Sequence, residues 1–334
     1  MRITFEEAKN QLEKILIKYG CCGEHAHKVA YEITRNSLEG VYTHGINRFA
    51  RLIRNIGEGI VRPNEKPERI HTFGGTENVD GRLGLGIINA WHCMGRAIEL
   101  SGEHGIGLVA LRNTNHWFRA ATYGCQACDE GMAGICFTNT IPNMPTWGAV
   151  DSRIGNNPLV FAFPRKGGAH IIADMAMSQF SYGALELAQL QNRQMPMAAG
   201  FDRNGKLTVN PGEVIESRRL LPTGYWKGAA LSFLMDIFAS CISLGNSTAA
   251  IGRLAGDEHG VSQCFIAINY KKIAPGDTPA ETLEDAIQDL LSSKKDKDTR
   301  RIVYSGQKAV ETRAENLVKG IPVDEKIWET ILKL

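Results

Sequence analysis

Two histidines stand near arginines at spacings that acid–base chemistry can use. His44 follows Thr43 and precedes Arg48 by four residues. On a helix, positions i and i+4 share a face. An imidazole there can give or take a proton near neutral pH, and a helix dipole acting on it would lower its pKa. A neighbouring guanidinium can grip a carboxylate through two parallel hydrogen bonds. Proton donor plus carboxylate clamp is what hydride transfer to a 2-oxo acid requires. The second histidine, His116, lies in Asn113-Thr114-Asn115-His116-Trp117-Phe118-Arg119, just after an apolar strand-like run. Loops at strand ends are where a sheet fixes reactive groups. Asn115 and Arg119 add polar capacity for a substrate, and Trp117 a flat apolar wall. Taken singly, each histidine also fits an ordinary polar surface.

Three further stretches could hold a cofactor. Arg153-Ile-Gly-Asn-Asn-Pro158 reads as a turn. Asp174 stands at a strand end before a helix, able to accept from a ribose hydroxyl or to cap the helix. Trp226 and Lys227 put a broad ring and a cation at another helix start. Other chemistries fit poorly. Gly105-Ile-Gly107-Leu-Val-Ala110 matches the letter of a dinucleotide fingerprint, but its glycines follow a helix and precede no other, whereas the fingerprint must open a helix after a strand. No phosphate-binding P-loop and no G-x-S-x-G nucleophile elbow occurs. Cys125 and Cys128 have no second ligand pair at zinc spacing and read as packed thiols.

The elements that must carry these residues follow from periodicity. Helices are expected from Phe5 to about Gly20 and from Glu24 to Ser37, with Gly40 as a break. A third helix should be capped by Thr43. Residues 60–85 predict short strands and turns. From 87 onward helices and strands alternate: helix 88–103, strand 106–112, helix 119–130, strands 133–138, 159–163 and 170–174, helices 178–193 and 226–243, strand 263–268. Thr278-Pro-Ala-Glu281 predicts a capping box, Ile302–Tyr304 a short strand, and two helices close the chain. This order predicts an α/β fold with a central mixed sheet in residues 75–270, and a helical, dimerising part built from both chain ends, 1–74 plus 271–334. The site would lie between them.

Composition limits the partners. There are 38 Lys+Arg against 36 Asp+Glu, a net charge of +2, so nothing favours nucleic acid or an anionic membrane surface. The first ten residues lack the apolar run of a signal peptide, and no stretch suits a bilayer span. Eight scattered cysteines predict reduced thiols in a cytoplasmic protein. The 35 glycines, about one residue in ten against a usual ~7%, predict many tight turns.

Several of these motifs recur together in a known order. Gly40–Phe49, Gly105–Trp117, Arg153–Pro158, Asp174–Ser178 and Leu221–Gly228 resemble the malate/L-lactate dehydrogenase family that lacks a Rossmann fold, with matching spacing along the whole chain. The resemblance implies a homodimeric oxidoreductase using NAD(H) or NADP(H). It implies His44 as proton donor, His116 facing the same pocket, and Arg48 on the substrate carboxylate. It places the cofactor on His170, Ile171, Ile172, Ala173, Asp174, Met175 and Ala176, on Trp226 and Lys227, and on Gly306, Gln307 and Lys308. That last segment departs from the Gly-His-Glu of similar members, which bears on the choice between NADH and NADPH. Trp117-Phe118-Arg119 follows the branch acting on a diketo sugar acid; other members usually have Gly at position 118. The substrate implied is a 2-oxo sugar acid. The alternatives are a smaller 2-hydroxy acid (malate, lactate or ureidoglycolate) and a cofactor-binding dimer without turnover.

Overall fold

The computed structural model describes residues 1–334. The chain opens with two amphipathic helices, α1 (Phe5–Lys18) and α2 (Gly23–Leu38). The Thr4 hydroxyl accepts from Glu7 N at 3.1 Å and caps α1. Gly20 and Gly40 end the two helices at φ 84° and 85°, the left-handed region that suits glycine.

The third helix begins later than the spacing predicts. Two tight 3-10 turns, Tyr42–His44 and Ile46–Arg48, precede α3 (Phe49–Gly57). The cause lies on α2. Asn36 Nδ2 donates to His44 O, and Ser37 Oγ accepts from Ile46 N, both at 2.9 Å. Gly45 fits there because a Cβ would stand 2.2 Å from Ser37 Oγ. Thr43 therefore caps no helix; its hydroxyl lies 3.1 Å from His44 Nδ1.

Seven strands build the central sheet: β1 (Glu68–Phe73), β2 (Thr76–Asp80), β3 (Ile106–Thr114), β4 (Ala133–Thr138), β5 (Leu159–Phe163), β6 (Ile171–Met175) and β7 (Val261–Ile268). Their order is β1-β2-β3-β7-β4-β5-β6. Only β2 and β3 run parallel. Helices α4 (Gly86–His104) and α5 (Ala121–Asp129) cover one face; α6 (Tyr182–Leu190) and α7 (Trp226–Ser243) lie on the other. The period of two decides which residue goes where. Val109, Leu111 and Phe265 pack with α4 and α5, whereas Ala110 and Cys264 pack with Ala229, Met235 and Ala239 of α7. Gly107 lies inside β3, where a Cβ would come 2.0 Å from Ala97 O of α4. It is a packing glycine, which disposes of the fingerprint match.

The last part holds α8 (Thr278–Leu291), α9 (Gln307–Lys319) and α10 (Glu325–Leu332). Two sequence expectations fail here. Asp277, not Thr278, stands at the start of α8, and no side chain caps it. Ile302–Tyr304 is no strand; the neighbouring Ser305 O accepts one bond, from Ile172 N at 3.0 Å, at the edge of β6. Arg2–Ile3 pairs with Ile321–Pro322, and residues of α1, α2, α3 and α10 share a core with Leu85, Ile87 and Phe118. All eight cysteines are free thiols, six of them buried. No helix is long and apolar enough to cross a membrane.

Candidate active site

β3 ends at Thr114 and delivers His116 from its carboxyl end. His116 Nδ1 accepts from Phe118 N at 3.0 Å, so the neutral ring carries its proton on Nε2. Phe118 turns back at φ 65°, a conformation that costs a non-glycine residue about 1–2 kcal/mol. Burial of its ring in the helical core offsets that cost. The ring also meets His116 edge-on, with centroids 5.7 Å apart, and braces it. His44, presented by the turn pinned to α2, stacks on His116 at 5.6 Å with an interplanar angle of 16°.

Burial lowers the His44 pKa to about 4, helped by the positive charges of Arg48 and Arg119. His44 ends a single 3-10 turn, so burial and these two cations do what a helix dipole was expected to do. Burial, then Arg48 and His44, push His116 well below the usual histidine range. Both rings are neutral at pH 7. Burial and Arg51 lower even Arg48, to about 10. Glu258 and Asp257 are the nearest acids to act on Arg48, but neither forms an ion pair with it: Glu258 accepts from Ile141 N at 3.0 Å, while Arg51 grips Asp257 with two nitrogens and Asn55 Nδ2 donates to it at 3.0 Å. Burial pushes the Asp257 carboxyl up, and these partners outweigh it. Arg48 is left as an enclosed cation facing no bound acid.

On the other side of His44, Arg119 forms an ion pair with Glu39, which also accepts from Arg35 Nε at 2.9 Å. Burial pushes Glu39 up, but Arg119 and Arg35 together hold it below the usual carboxylate range. Arg119 thus faces the cleft with its charge already engaged. Asn115 is similarly committed: its Nδ2 donates to Leu83 O at 2.8 Å and Gly84 O at 2.9 Å.

A cleft of about 1300 Å³ runs past the histidine pair, ample for a dinucleotide with a small acid. Of the residues expected to hold a cofactor, His170, Ile172, Asp174, Ala176, Gly306 and Lys308 line it. Ile171, Ala173 and Met175 do not, because alternate residues of β6 point away. The walls fit such a group. Gly306, at φ 100°, lets two chain segments close together; a Cβ there would meet His170 O at 2.9 Å. His170 is a brace, accepting from Arg165 N on Nδ1 at 3.1 Å and reaching Asp129 with Nε2 at 3.0 Å. Asp174 accepts from Ala121 N at 2.9 Å, so it caps α5 rather than the helix that follows it; burial raises its pKa. Gln307 folds back, accepting from Tyr304 N and donating to Glu311, and leaves Lys308 as the charged group of that turn beside the cleft. Trp226 and Lys227 start α7 outside this chain's cleft lining, with Trp226 60% exposed.

Arg48 and Asn115 open instead on a second cavity of about 30 Å³, which shares His116 and Phe118 with the cleft. Glu39, Asn55 and Asp257 escaped the sequence reading. One signal was available for Asn55: Arg48, Arg51 and Asn55 fall on one face at helical spacing.

Comparison with known proteins identifies the family. The malate/L-lactate dehydrogenase family matches residues 3–332. A 2,3-diketo-L-gulonate reductase of Escherichia coli K12 is 42% identical over 334 residues, all of both chains. Malate dehydrogenase from Pyrococcus horikoshii superposes with a TM-score of 0.91 at 29% identity, covering 100% of this chain and 95% of that one. Malate dehydrogenase from Entamoeba histolytica gives 0.95 at 26% identity, covering 100% and 96%. With the α/β fold and full-length similarity in agreement, the chain is an oxidoreductase of hydroxy or oxo acids and belongs to the malate/L-lactate dehydrogenase family.

Proposed function

We propose that the chain reduces a 2-oxo sugar acid, 2,3-diketo-L-gulonate, to the 3-keto acid, placing it in sugar-acid metabolism. The name of the 42% identical relative supports the substrate. The observation that carries the reading is His44 stacked on His116 beside an unpaired, enclosed Arg48. A reduced nicotinamide cofactor, when bound, supplies the hydride. Arg48 binds the substrate carboxylate and fixes the C2 carbonyl near the histidines. That carboxylate offsets the Arg48 charge, which adds to burial in lowering His44, so the His44 pKa rises as substrate binds, and His44 passes a proton to the developing alkoxide. His116, donating from Nε2, polarises the same oxygen. The convergence of these three groups favours turnover over a binding-only dimer. Arg119's bond to Glu39 favours one second reading, a smaller acid such as malate or lactate, which does not need Arg119.

The test is NADH and NADPH oxidation against a panel of 2-oxo acids that includes diketogulonate. Fastest turnover of diketogulonate supports the reading; preference for oxaloacetate or pyruvate selects the second; no turnover by cofactor-binding protein defeats both. For the cofactor we infer NAD(H) with NADP(H) accepted. No acid stands in the first turn of α9, and Lys308 can meet a ribose phosphate. Lys308→Glu should lower the NADPH/NADH ratio of kcat/KM about tenfold; an unchanged ratio refutes it.

We further propose a homodimer with residues 1–74 plus 271–334 as a helical part and 75–270 as the cofactor part. The outer strand β1 joins the sheet across that boundary. Leu231, Leu234 and Phe238 of α7 are each more than 40% exposed, an apolar stripe suited to a second copy. Trp226 and Lys227 would then be offered to the partner's cleft. Phe238→Glu should yield monomers by light scattering. The free thiols support a reducing compartment such as the cytoplasm.

A further inference from the structure

The small cavity behind His116 has room for one group of hydroxyl size, about 30 Å³. Two asparagines line it from different elements, Asn55 from α3 and Asn115 from the loop after β3. Both are more than nine-tenths buried, at 9% and 3% exposure. The partners of each amide nitrogen settle its orientation. Asn55 Nδ2 donates to the Asp257 carboxylate, and Asn115 Nδ2 donates to two backbone carbonyls. Each remaining oxygen is therefore an acceptor, and neither has a donor. Two orphaned acceptors beside one cavity are uncommon in a folded protein and call for an O–H or N–H group to fill them. The lining holds two cations, Arg48 and Arg51, and two acids, Asp257 and Glu258, so its charge is balanced and a neutral O–H is the simplest donor. Leu52, Val61 and Phe118 supply the apolar remainder.

We propose that this cavity is a hydroxyl subsite of the substrate, in which an O–H of the substrate chain donates its one hydrogen to Asn55 Oδ1, with Asn115 Oδ1 in the same lining, while Arg48 holds the carboxylate. The proposal rests on the reading of the cleft as an acid-reducing site. It makes Asn55 a specificity-determining residue. A hydroxylated acid satisfies the Asn55 acceptor, and an acid without the hydroxyl leaves it bare or keeps a water there. Water offers the same O–H chemistry, so the test must separate a substrate hydroxyl from a permanent water.

The pair 4-hydroxy-2-oxobutyrate and 2-oxobutyrate differs by one hydroxyl. In wild-type enzyme the hydroxylated acid should have a kcat/KM about 30-fold higher. Asn55→Leu, which leaves Arg51 on Asp257, should shrink that ratio to within about threefold. A ratio unchanged by the substitution, with equal losses on both acids, marks a permanent water and overturns the proposal. If the variant fails to fold, the wild-type pair decides: equal kcat/KM for the two acids overturns it. If no 2-oxo acid is turned over, the functional reading fails separately. The subsite is then read from thermal stabilisation by the same two acids. Greater stabilisation by the hydroxylated acid supports the subsite, and equal shifts overturn it.

Discussion

Arg48 and Arg119 both press protons off His44, yet only Arg119 has an acid to hold. On the Arg119 side, Glu39 lies between two guanidiniums, and each of the three groups has an ion-pair partner. On the Arg48 side, the nearby acids are engaged elsewhere, Asp257 by Arg51 and Asn55 and Glu258 by Ile141 N. Desolvation makes an unpaired buried cation costly, and a protein keeps one where an incoming anion relieves it. The contrast separates an arginine that holds the wall from one that waits for a ligand, although both carry the same side chain within reach of the same histidine.

That contrast can be broken in three places. Arg48→Leu should reduce kcat/KM for the oxo acid by about 10²–10³-fold, through lost binding and orientation. Its melting temperature should hold or rise, because an unpaired buried charge has gone. A large fall in melting temperature would mean that Arg48 is structural after all. Arg119→Leu should do the reverse and cost about 3 kcal/mol of stability by leaving Glu39 half-compensated. Urea unfolding measures this, and a stable but inactive variant would move Arg119 into the substrate site.

The smallest effect is in pH. The His44 pKa falls from 6.5 in the unfolded chain to about 4 in the folded one, so the unfolded chain binds more protons between those values. Stability should therefore be full above pH 6.5 and decline as pH drops toward 4, with His116 acting in the same direction. His44→Gln should flatten the decline in thermal melts at pH 7, 6 and 5; an identical slope would show that His44 is not held neutral. Calorimetry in two buffers of different ionisation enthalpy should also show proton uptake when an oxo acid binds.

What could be read from the residues follows what is local. Helix α7 was expected at its observed bounds, and the alternation in β3 and the stops at Gly20 and Gly40 were plain, because each depends on neighbours within a few positions. His44 and His116 were legible as candidates by residue type and setting. Their stacking was not, since it needs β3 and α2 to meet. The turn at Thr43–Gly45 was misjudged because Asn36 and Ser37 of the preceding helix impose it. Arg119 read as a free cation because its partner Glu39 lies 80 residues earlier. Charge compensation depends on the tertiary fold, and spacing along the chain does not report it.

The central strand β7 has a further consequence for biosynthesis. It lies between β3 and β4, yet it is the last of the seven to leave the ribosome. Until residue 268 has emerged, those two partners each carry an unpaired edge that can bond to another nascent chain. The sheet cannot close until this middle strand has been made. A chain cut anywhere before Val261 therefore lacks its keystone and not merely its tail, and is left with two open strand edges that invite aggregation.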